Sequence, residues 1–290
     1  MILEEGQWRV RDLVMGPHTP YRVIASSNTF ARTTRSNQSG PRAHAHGGHS
    51  GTQWANPRVV PIRVMIDADG HDEAAWLSAV DALEATWLPT GNTGETVELC
   101  RNIAGREFVW FGQPTLFEPD PEIAAGGYGW VQLGFECADP RRYSAELQTA
   151  TTGLPIQSGG LRLPLTAPFA VSGVLSGGRL TLTNSGKTAA PLTLRVDGPA
   201  PEPRIVLTGP DGVAQVIDFN LTLAAGQWLD ISTTTRLALL NGLPESNQRG
   251  RAEWTADAYP LAPGPTTVRF FASDYSPDAL LTAQWRHAWM

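Results

Sequence analysis

The sequence predicts a mainly β protein of two domains, on three grounds. The chain has 290 residues, enough for two domains that each bury a core of their own. Short runs of alternating polarity recur through its second half, separated by turn residues. Glycine (29 residues) and proline (23 residues) are frequent, as many tight turns between short strands require.

The second half is expected to fold as a β-sandwich or a barrel, because alternation turns one face of each strand inward. No residue in these runs stands out as a reacting group. The predicted strands are Arg179–Asn184, Pro191–Val196, Arg204–Leu207, Phe219–Leu223, Trp228–Ile231, Thr267–Phe271 and Leu280–Trp289.

The first half combines strands with one helix. Trp76, Val80, Leu83 and Trp87 are spaced by four, three and four residues, so they share a helical face that we expect to pack on a sheet. Asp69 is the predicted N-cap of this helix. The strands predicted around it are Trp8–Val14, Tyr21–Ala25, Val59–Ile66, Glu95–Leu99, Glu107–Phe111 and Tyr128–Cys137.

Composition sets the domain boundaries and excludes some classes of partner. Residues 144–166 are poor in charge and rich in Gly, Pro, Thr and Ser, which predicts an N-terminal domain at 1–150, a linker at 151–168 and a C-terminal domain at 169–290. The net charge of −6 argues against tight nonspecific nucleic-acid binding, and no apolar run approaches the ~18 residues of a membrane span. The acidic start lacks the features of a signal peptide, so we expect folding in a cytoplasm.

Two cysteines, Cys100 and Cys137, lie in the first half. They could pair in a disulfide, but two free core thiols are favoured in a protein made in a cytoplasm.

A cluster of three histidines suggests a metal site, and with it a metal-dependent hydrolase. His44, His46 and His49 fall within six residues, and imidazoles at this spacing can bind zinc. However, Gly47 and Gly48 loosen the segment, and no acidic or cysteine ligand is near. A solvated or interface loop is therefore the favoured interpretation, with no metal and no cofactor.

The sequence does not match the other catalytic and metal-binding motifs that it resembles at first sight. Gly48-His49-Ser50-Gly51 lacks the second glycine of a nucleophile elbow, because Thr52 occupies that position. The acidic stretch 67–73 places its glycine at the fourth position of a calcium loop, not the sixth, and helix capping explains these acids. No pair of carboxylates suited to glycoside hydrolysis can be nominated. No catalytic residue is predicted.

Charge is segregated along the chain. From Leu13 to Ile66 there is no Asp or Glu, but there are six arginines and four histidines. Nucleic acid is one conceivable partner, but a recognition motif and interleaved aromatics are lacking, so an acidic patch on a neighbouring subunit is favoured. The segment from Asn28 to Pro57 is expected to remain without structure until assembly, since its first part holds one large apolar residue, Phe30. The candidate interface residues are Arg32, Arg35, Arg42, His44, His46, His49 and Arg58.

Aromatic residues of the second half allow two interpretations. They could stack on a sugar, or they could be core residues, and the core is favoured. The residues concerned are Trp228, Trp254, Tyr259, Trp285 and Trp289.

Several segments, taken in order, resemble the distal tail proteins of long-tailed phages. The opening Trp8–Val14 with Tyr21–Ile24 is similar to the start of that family's N-terminal domain, and Phe135–Tyr143, with its Asp-Pro, is similar to the segment that closes it. Leu182–Gly198 is similar to the family's entry into a galectin-like sandwich. Later segments that fit are Leu223–Ile231, Leu239–Gly242, Tyr259–Phe270 and Trp285–Trp289.

The resemblance implies a structural protein and not an enzyme. It implies an N-terminal β-sandwich-like domain with one packed helix that forms a hexameric ring, and a C-terminal galectin-like jelly-roll β-sandwich outside that ring. The implied partners are the tail tube protein and the tail-tip hub protein, in the virion tail or in a phage-derived particle such as a tailocin or a gene-transfer agent. The alternative is a carbohydrate-binding protein that recognises a cell-surface glycan through exposed tryptophans of the C-terminal domain.

Overall fold

A computed structural model describes residues 2–26, 30–35, 39–67, 72–89, 91, 95–120, 128–158 and 174–290. The chain divides into two compact units, Met1–Ala145 together with Met290, and Glu146–Trp289. Both units are built from β-sheets, and the described residues contain a single α-helix. The predicted fold class, mainly β with one packed helix, is confirmed.

The first unit contains twelve named strands and the helix within its described residues. They are β1 (Trp8–Val10), β2 (Leu13–Met15), β3 (Tyr21–Ala25), β4 (Thr34–Arg35), β5 (Gly40–Pro41), β6 (Gly48–His49), β7 (Trp54–Ala55), β8 (Arg58–Asp67), α1 (Glu73–Trp87), β9 (Val97–Ile103), β10 (Arg106–Pro119), β11 (Tyr128–Cys137) and β12 (Arg142–Ser144).

The long strand β10 organises the first unit. The strands follow the order β2-β1-β9-β10-β11-β8-β3, with β12 also paired to β10. Residues 106–112 of β10 pair with β9, and residues 113–119 pair with β11. Gly112 lies at this change of partner, where a Cβ atom would collide with the backbone carbonyl of Glu136. Glycine therefore lets β10 pass from one part of the sheet to the other.

The helix α1 packs as its sequence predicts. All four residues of its apolar face, Trp76, Val80, Leu83 and Trp87, are buried. The predicted N-cap was wrong, because the carboxylate of Asp72 accepts the Ala74 N–H at 3.1 Å. Asp69 lies outside the described residues.

Arg11, which is distant in sequence, caps the C-terminal end of α1. The last turn of the helix has no basic residue of its own. The guanidinium of Arg11 donates hydrogen bonds to the carbonyls of Thr86 (2.6 Å) and Leu88 (2.7 Å). A cation at this end interacts favourably with the helix dipole, and its N–H groups satisfy carbonyls that lack partners within the helix.

The second unit is a β-sandwich of two five-stranded sheets with alternating buried and exposed residues. Its strands are β13 (Gln148–Gly153), β14 (Ile156–Ser158), β15 (Val174–Ser176), β16 (Arg179–Asn184), β17 (Leu192–Asp197), β18 (Ala200–Pro201), β19 (Arg204–Thr208), β20 (Ala214–Phe219), β21 (Thr222–Leu223), β22 (Trp228–Ser232), β23 (Leu237–Leu240), β24 (Ala252–Trp254), β25 (Gly264–Phe271), β26 (Leu280–Trp285) and β27 (Ala288–Trp289). Two 3₁₀ helices, Pro244–Ser246 and Arg249–Arg251, precede β24. The sheets run β13-β26-β17-β22-β23 and β16-β25-β19-β20-β24.

Some predicted strand bounds needed correction. The run Phe219–Leu223 is not one strand, because β20 ends at Phe219 and β21 begins at Thr222. β13, which spans the predicted boundary at residue 150, pairs with β26 in the second unit. Residues 159–168 of the predicted linker lie outside the described residues. The roles assigned to the two domains stay predictions.

Both cysteines are free and buried, in agreement with the favoured interpretation. Burial raises the pKa of the Cys137 thiol to about 12. It is therefore protonated at neutral pH and unsuited to act as a nucleophile.

Candidate subunit interface

The arm, residues 30–35 and 39–57, forms a hairpin that the sequence did not predict. β4 pairs with β7, and β5 pairs with β6 beyond it. The Arg42 N–H donates to the carbonyl of Gly47 at 3.1 Å and closes the tip. The expectation of a segment without internal structure was therefore wrong. Backbone hydrogen bonds form this ribbon, and its aromatic residues Phe30 and Trp54 stay 50% and 60% exposed.

Six of the seven candidate residues lie exposed on the arm. Arg35 is in β4, His49 is in β6, and the others lie in the tip or near the root; the six are Arg32, Arg35, Arg42, His44, His46 and His49. Across the described part of the chain, no group of three or more His, Cys, Asp and Glu side chains is arranged to hold a metal ion. The geometry therefore gives the metal interpretation no support.

Arg58 is the exception among the candidates, since it is only 4% exposed. It begins β8 at the root of the arm and pairs in register with Cys137. Burial lowers its pKa, and this effect outweighs the opposing influence of Cys137. The guanidinium of Arg142 lies 4.7 Å from the centre of the Phe30 ring. Arg58 and Arg142 thus both lie close to the arm.

Asp139, Arg141 and Tyr143 form a closed cluster in the segment that ends the first unit. Arg141 contacts the Asp139 carboxylate at 2.8 Å, and the Tyr143 hydroxyl donates to the same carboxylate. Burial alone would raise the pKa of Asp139, but the hydrogen bonds from Arg141 and Tyr143 outweigh it and lower that pKa. Burial, and then the hydrogen bond to Asp139, raise the pKa of Tyr143. Such mutual satisfaction indicates a structural cluster and not a reactive one.

An acidic surface in the same unit was missed at the sequence level. Residues 64–100 contain eight Asp or Glu and no Lys or Arg. On α1 the side chains of Glu73, Asp81 and Glu84 are exposed beside Leu77, which is 54% exposed. The missing lysines and arginines were the signal that could have identified this surface. The unit therefore carries a basic arm and an acidic helix face.

Two of the five aromatic residues considered for sugar stacking are core residues, and the other three are partly exposed. Tyr259 and Trp285 are buried, and Trp228, Trp254 and Trp289 are half-buried. The Arg195 guanidinium lies 4.6 Å from the centre of the Trp228 ring. None of the five is fully exposed, which favours the core interpretation, and the glycan-binding alternative stays a prediction.

Comparison with solved structures identifies the fold. The SPP1 Dit protein, described as a paradigm of the hub adsorption apparatus in phages that infect Gram-positive bacteria, matches with a TM-score of 0.63 at 13% identity. The match covers 99% of this chain and 100% of that one. A chain of the phage p2 baseplate in its activated conformation with Sr matches with a TM-score of 0.54 at 11% identity, over 96% of this chain and 97% of the other. The predicted resemblance to phage distal tail proteins is confirmed at the level of the fold.

Searches by sequence give no further relative. No protein-family model matches the chain, and no curated protein matches it. None of the helices in the described residues is long and apolar enough to cross a membrane.

Proposed function

We propose that this protein is a distal tail protein: a structural component of the tail tip of a long-tailed phage, or of a phage-derived particle. Its first unit forms a ring of six copies that joins the tail tube to the tip hub. The second unit decorates the outside of the ring. The protein is made in the cytoplasm of a bacterial host and functions in the assembled tail, without catalysis.

The whole-length likeness to the SPP1 Dit protein is the observation that carries this proposal. The match extends over nearly all of both chains, so it includes the order of the two units and not one common sandwich alone. A β-sandwich by itself is used for many functions, and fold likeness alone is a weak guide. The charge pattern of the first unit supplies a second, independent argument.

Segregated charge suits a ring with head-to-tail contacts. In such a ring each subunit offers one face to one neighbour and a different face to the other. The arm carries Arg35 and Arg42 in exposed positions, and α1 carries Asp81 and Glu84. We place the arm of one subunit on the helix face of the next, where opposite charges fix the register.

The exposed apolar residues of the two surfaces fit the same contact. Trp54 on the arm is 60% exposed, and Leu77 on α1 is 54% exposed. Aromatic residues that are buried only on association often contribute most of the binding energy of an interface. Trp54 is therefore the residue of the arm whose removal we expect to weaken assembly most.

Charge reversal tests the proposed contact. Arg35→Glu with Arg42→Glu, or Asp81→Arg with Glu84→Arg, should each weaken self-association at least tenfold, because like charges then face one another. Combining all four substitutions should restore assembly. Sedimentation velocity at micromolar concentration and 0.15 M salt measures the distribution of species.

A matched control separates the effect of losing the arm–helix contact from the effect of changing the net charge. Arg249→Glu with Arg251→Glu changes the net charge by the same amount at exposed positions of the second unit. This variant should assemble like the unmodified protein. If it weakens assembly as much as the arm variant does, or if the four-fold variant is not restored, the arm does not contact the helix.

A further inference from the structure

The outer face of one sheet in the second unit carries a groove that has no role in the ring of six subunits proposed above. It has a volume of about 620 Å³ on the face of β16-β25-β19-β20-β24. The residues that matter for its chemistry are Glu202, Arg204, Asp218, Arg269, Phe271 and Ser273. It therefore combines both signs of charge with one aromatic ring.

Strand register arranges these side chains in rows across the sheet. Phe271 of β25 is opposite Arg204 of β19, which is opposite Asp218 of β20. Arg204 and Asp218 are 3.7 Å apart and form an ion pair. Phe271 keeps 36% of its surface exposed at the end of this row. The phenyl ring of Phe271 thus lies beside the Arg204–Asp218 ion pair.

The next row places two arginines directly opposite each other. Arg179 of β16 faces Arg269 of β25 in register, and both side chains are exposed. Within the described residues, neither guanidinium has a carboxylate at ion-pair distance; the ion pairs found involve other arginines. Like charges in directly opposite positions destabilise a sheet. A bound anion would remove that repulsion.

The end of the groove is held in an uncommon conformation. Glu202 has a φ of 47°, in the left-handed region that non-glycine residues seldom adopt. The Ser273 N–H donates to the Pro201 carbonyl at 3.0 Å and ties the two sides of this end together. Backbone strain of this kind concentrates at ligand sites, and Glu202 is one of the residues that line the groove.

We propose that this groove binds a saccharide that carries a phosphate or carboxylate group. Arg269 lines the groove, and Arg179 lies outside the lining but directly opposite Arg269 on the neighbouring strand. These two arginines bind the anionic group, since a guanidinium matches such groups with paired hydrogen bonds. Phe271 packs against a sugar ring, and Glu202 and Asp218 accept hydrogen bonds from its hydroxyls. An acidic protein surface fits less well, because its many carboxylates would also face Glu202 and Asp218, whereas the saccharide carries its charge on one group beside the arginines.

This inference is independent of ring formation, since all its residues lie in the second unit. It also differs from the earlier glycan interpretation, which depended on tryptophans that prove to be buried or half-buried. The test therefore uses the full chain in whatever assembly state it adopts.

Saturation-transfer NMR titrations on the full chain measure the binding. The probes are glucose, galactose and mannose, each as the neutral hexose, the hexuronic acid and the hexose 6-phosphate, together with inorganic phosphate and poly-glutamate. At least one anionic sugar should bind tenfold or more tightly than its neutral hexose and than inorganic phosphate. Equal binding of charged and neutral sugars, full competition by inorganic phosphate at equal concentration, or binding of poly-glutamate alone overturns the proposal.

Variants locate the site. Arg179→Gln with Arg269→Gln should lower the affinity for the anionic sugar at least tenfold, and Phe271→Leu should weaken it several-fold. The melting temperature of the double arginine variant should be no lower than that of the unmodified protein, because the variant removes a cross-strand repulsion. A loss of sugar binding in this variant is then not caused by unfolding. Arg249→Gln, exposed but outside the groove, is the control and should bind normally. Unchanged affinity in the double arginine variant, or no binding of any charged sugar, contradicts the assignment.

Discussion

Gly129 is predicted to be the position that allows α1 to lie on the sheet. A Cβ atom added there would stand 2.8 Å from Cζ2 and 2.9 Å from Cε2 and Nε1 of the Trp76 indole. Carbon atoms in contact are normally about 3.5–4.0 Å apart, so the indole would have to move by roughly 1 Å. Trp76 is only 6% exposed and has little room for such a shift.

The expected cost of Gly129→Ala follows from two opposing effects. Overpacking of this kind costs about 1–3 kcal/mol. Replacing glycine also reduces the conformational entropy of the unfolded chain. This stabilises the folded state by roughly 0.4–1 kcal/mol where alanine can adopt the native backbone angles. The net loss should be about 1–2 kcal/mol, or roughly 3–8 °C in the melting temperature of the first unit. Scanning calorimetry, with a transition assigned to each unit, provides the measurement.

Two further variants make this prediction specific. In a Trp76→Leu background the Ala methyl group meets no indole, so the added cost of Gly129→Ala should largely disappear, as a double-mutant cycle reveals. Gly153→Ala is the control, because its Cβ would lie 3.6 Å from the nearest atom, the Ala279 carbonyl oxygen. An equal cost in both backgrounds would refute the idea that this glycine accommodates Trp76.

Three more outcomes follow from the first unit. Arg11→Gln should lose about 1–2 kcal/mol of stability in urea unfolding, because two carbonyls at the end of α1 lose a charged donor, whereas exposed Arg106→Gln should not. The folded pKa of Asp139 is lowered, so its stabilisation is present above the unfolded pKa of about 3.9 and is lost as pH falls below it. Asp139→Asn should therefore reduce the loss of stability between pH 5 and pH 3, and an unchanged pH profile would contradict this. Cys137, with a pKa of about 12, should react with a thiol reagent at pH 8 only as the protein unfolds, and rapid labelling of the native protein would show the assignment to be wrong.

Periodicity was informative where one face of an element is buried. The four-residue stripe of α1 and the strands Tyr21–Ala25, Tyr128–Cys137 and Arg179–Asn184 have the predicted positions. In α1 and in Arg179–Asn184, burial separates apolar from polar residues, and the sequence carries that separation directly. The helix cap was misplaced by three residues, because Asp69 and Asp72 are both plausible caps by residue type.

The arm and the groove could not be predicted in the same way. The side chains of β4 to β7 remain largely exposed, so no alternation marks these short ribbons, and their pairing rests on backbone hydrogen bonds. The groove and the arginine pair beside it depend on register between strands far apart in the chain, which places Arg179 opposite Arg269. Local patterns do not encode that register. The acid-free segment did point to the arm as an electrostatically distinct surface.

The mass of the free particle tests the central proposal most directly. Light scattering coupled to gel filtration, at micromolar concentration, should find a species of about 188 kDa, the mass of six 31.3 kDa subunits. Negative-stain images of that species should show a closed six-fold ring. A 31.3 kDa monomer at every concentration, both alone and after mixing with tail tube protein, would contradict the assignment of this chain as a ring-forming distal tail protein.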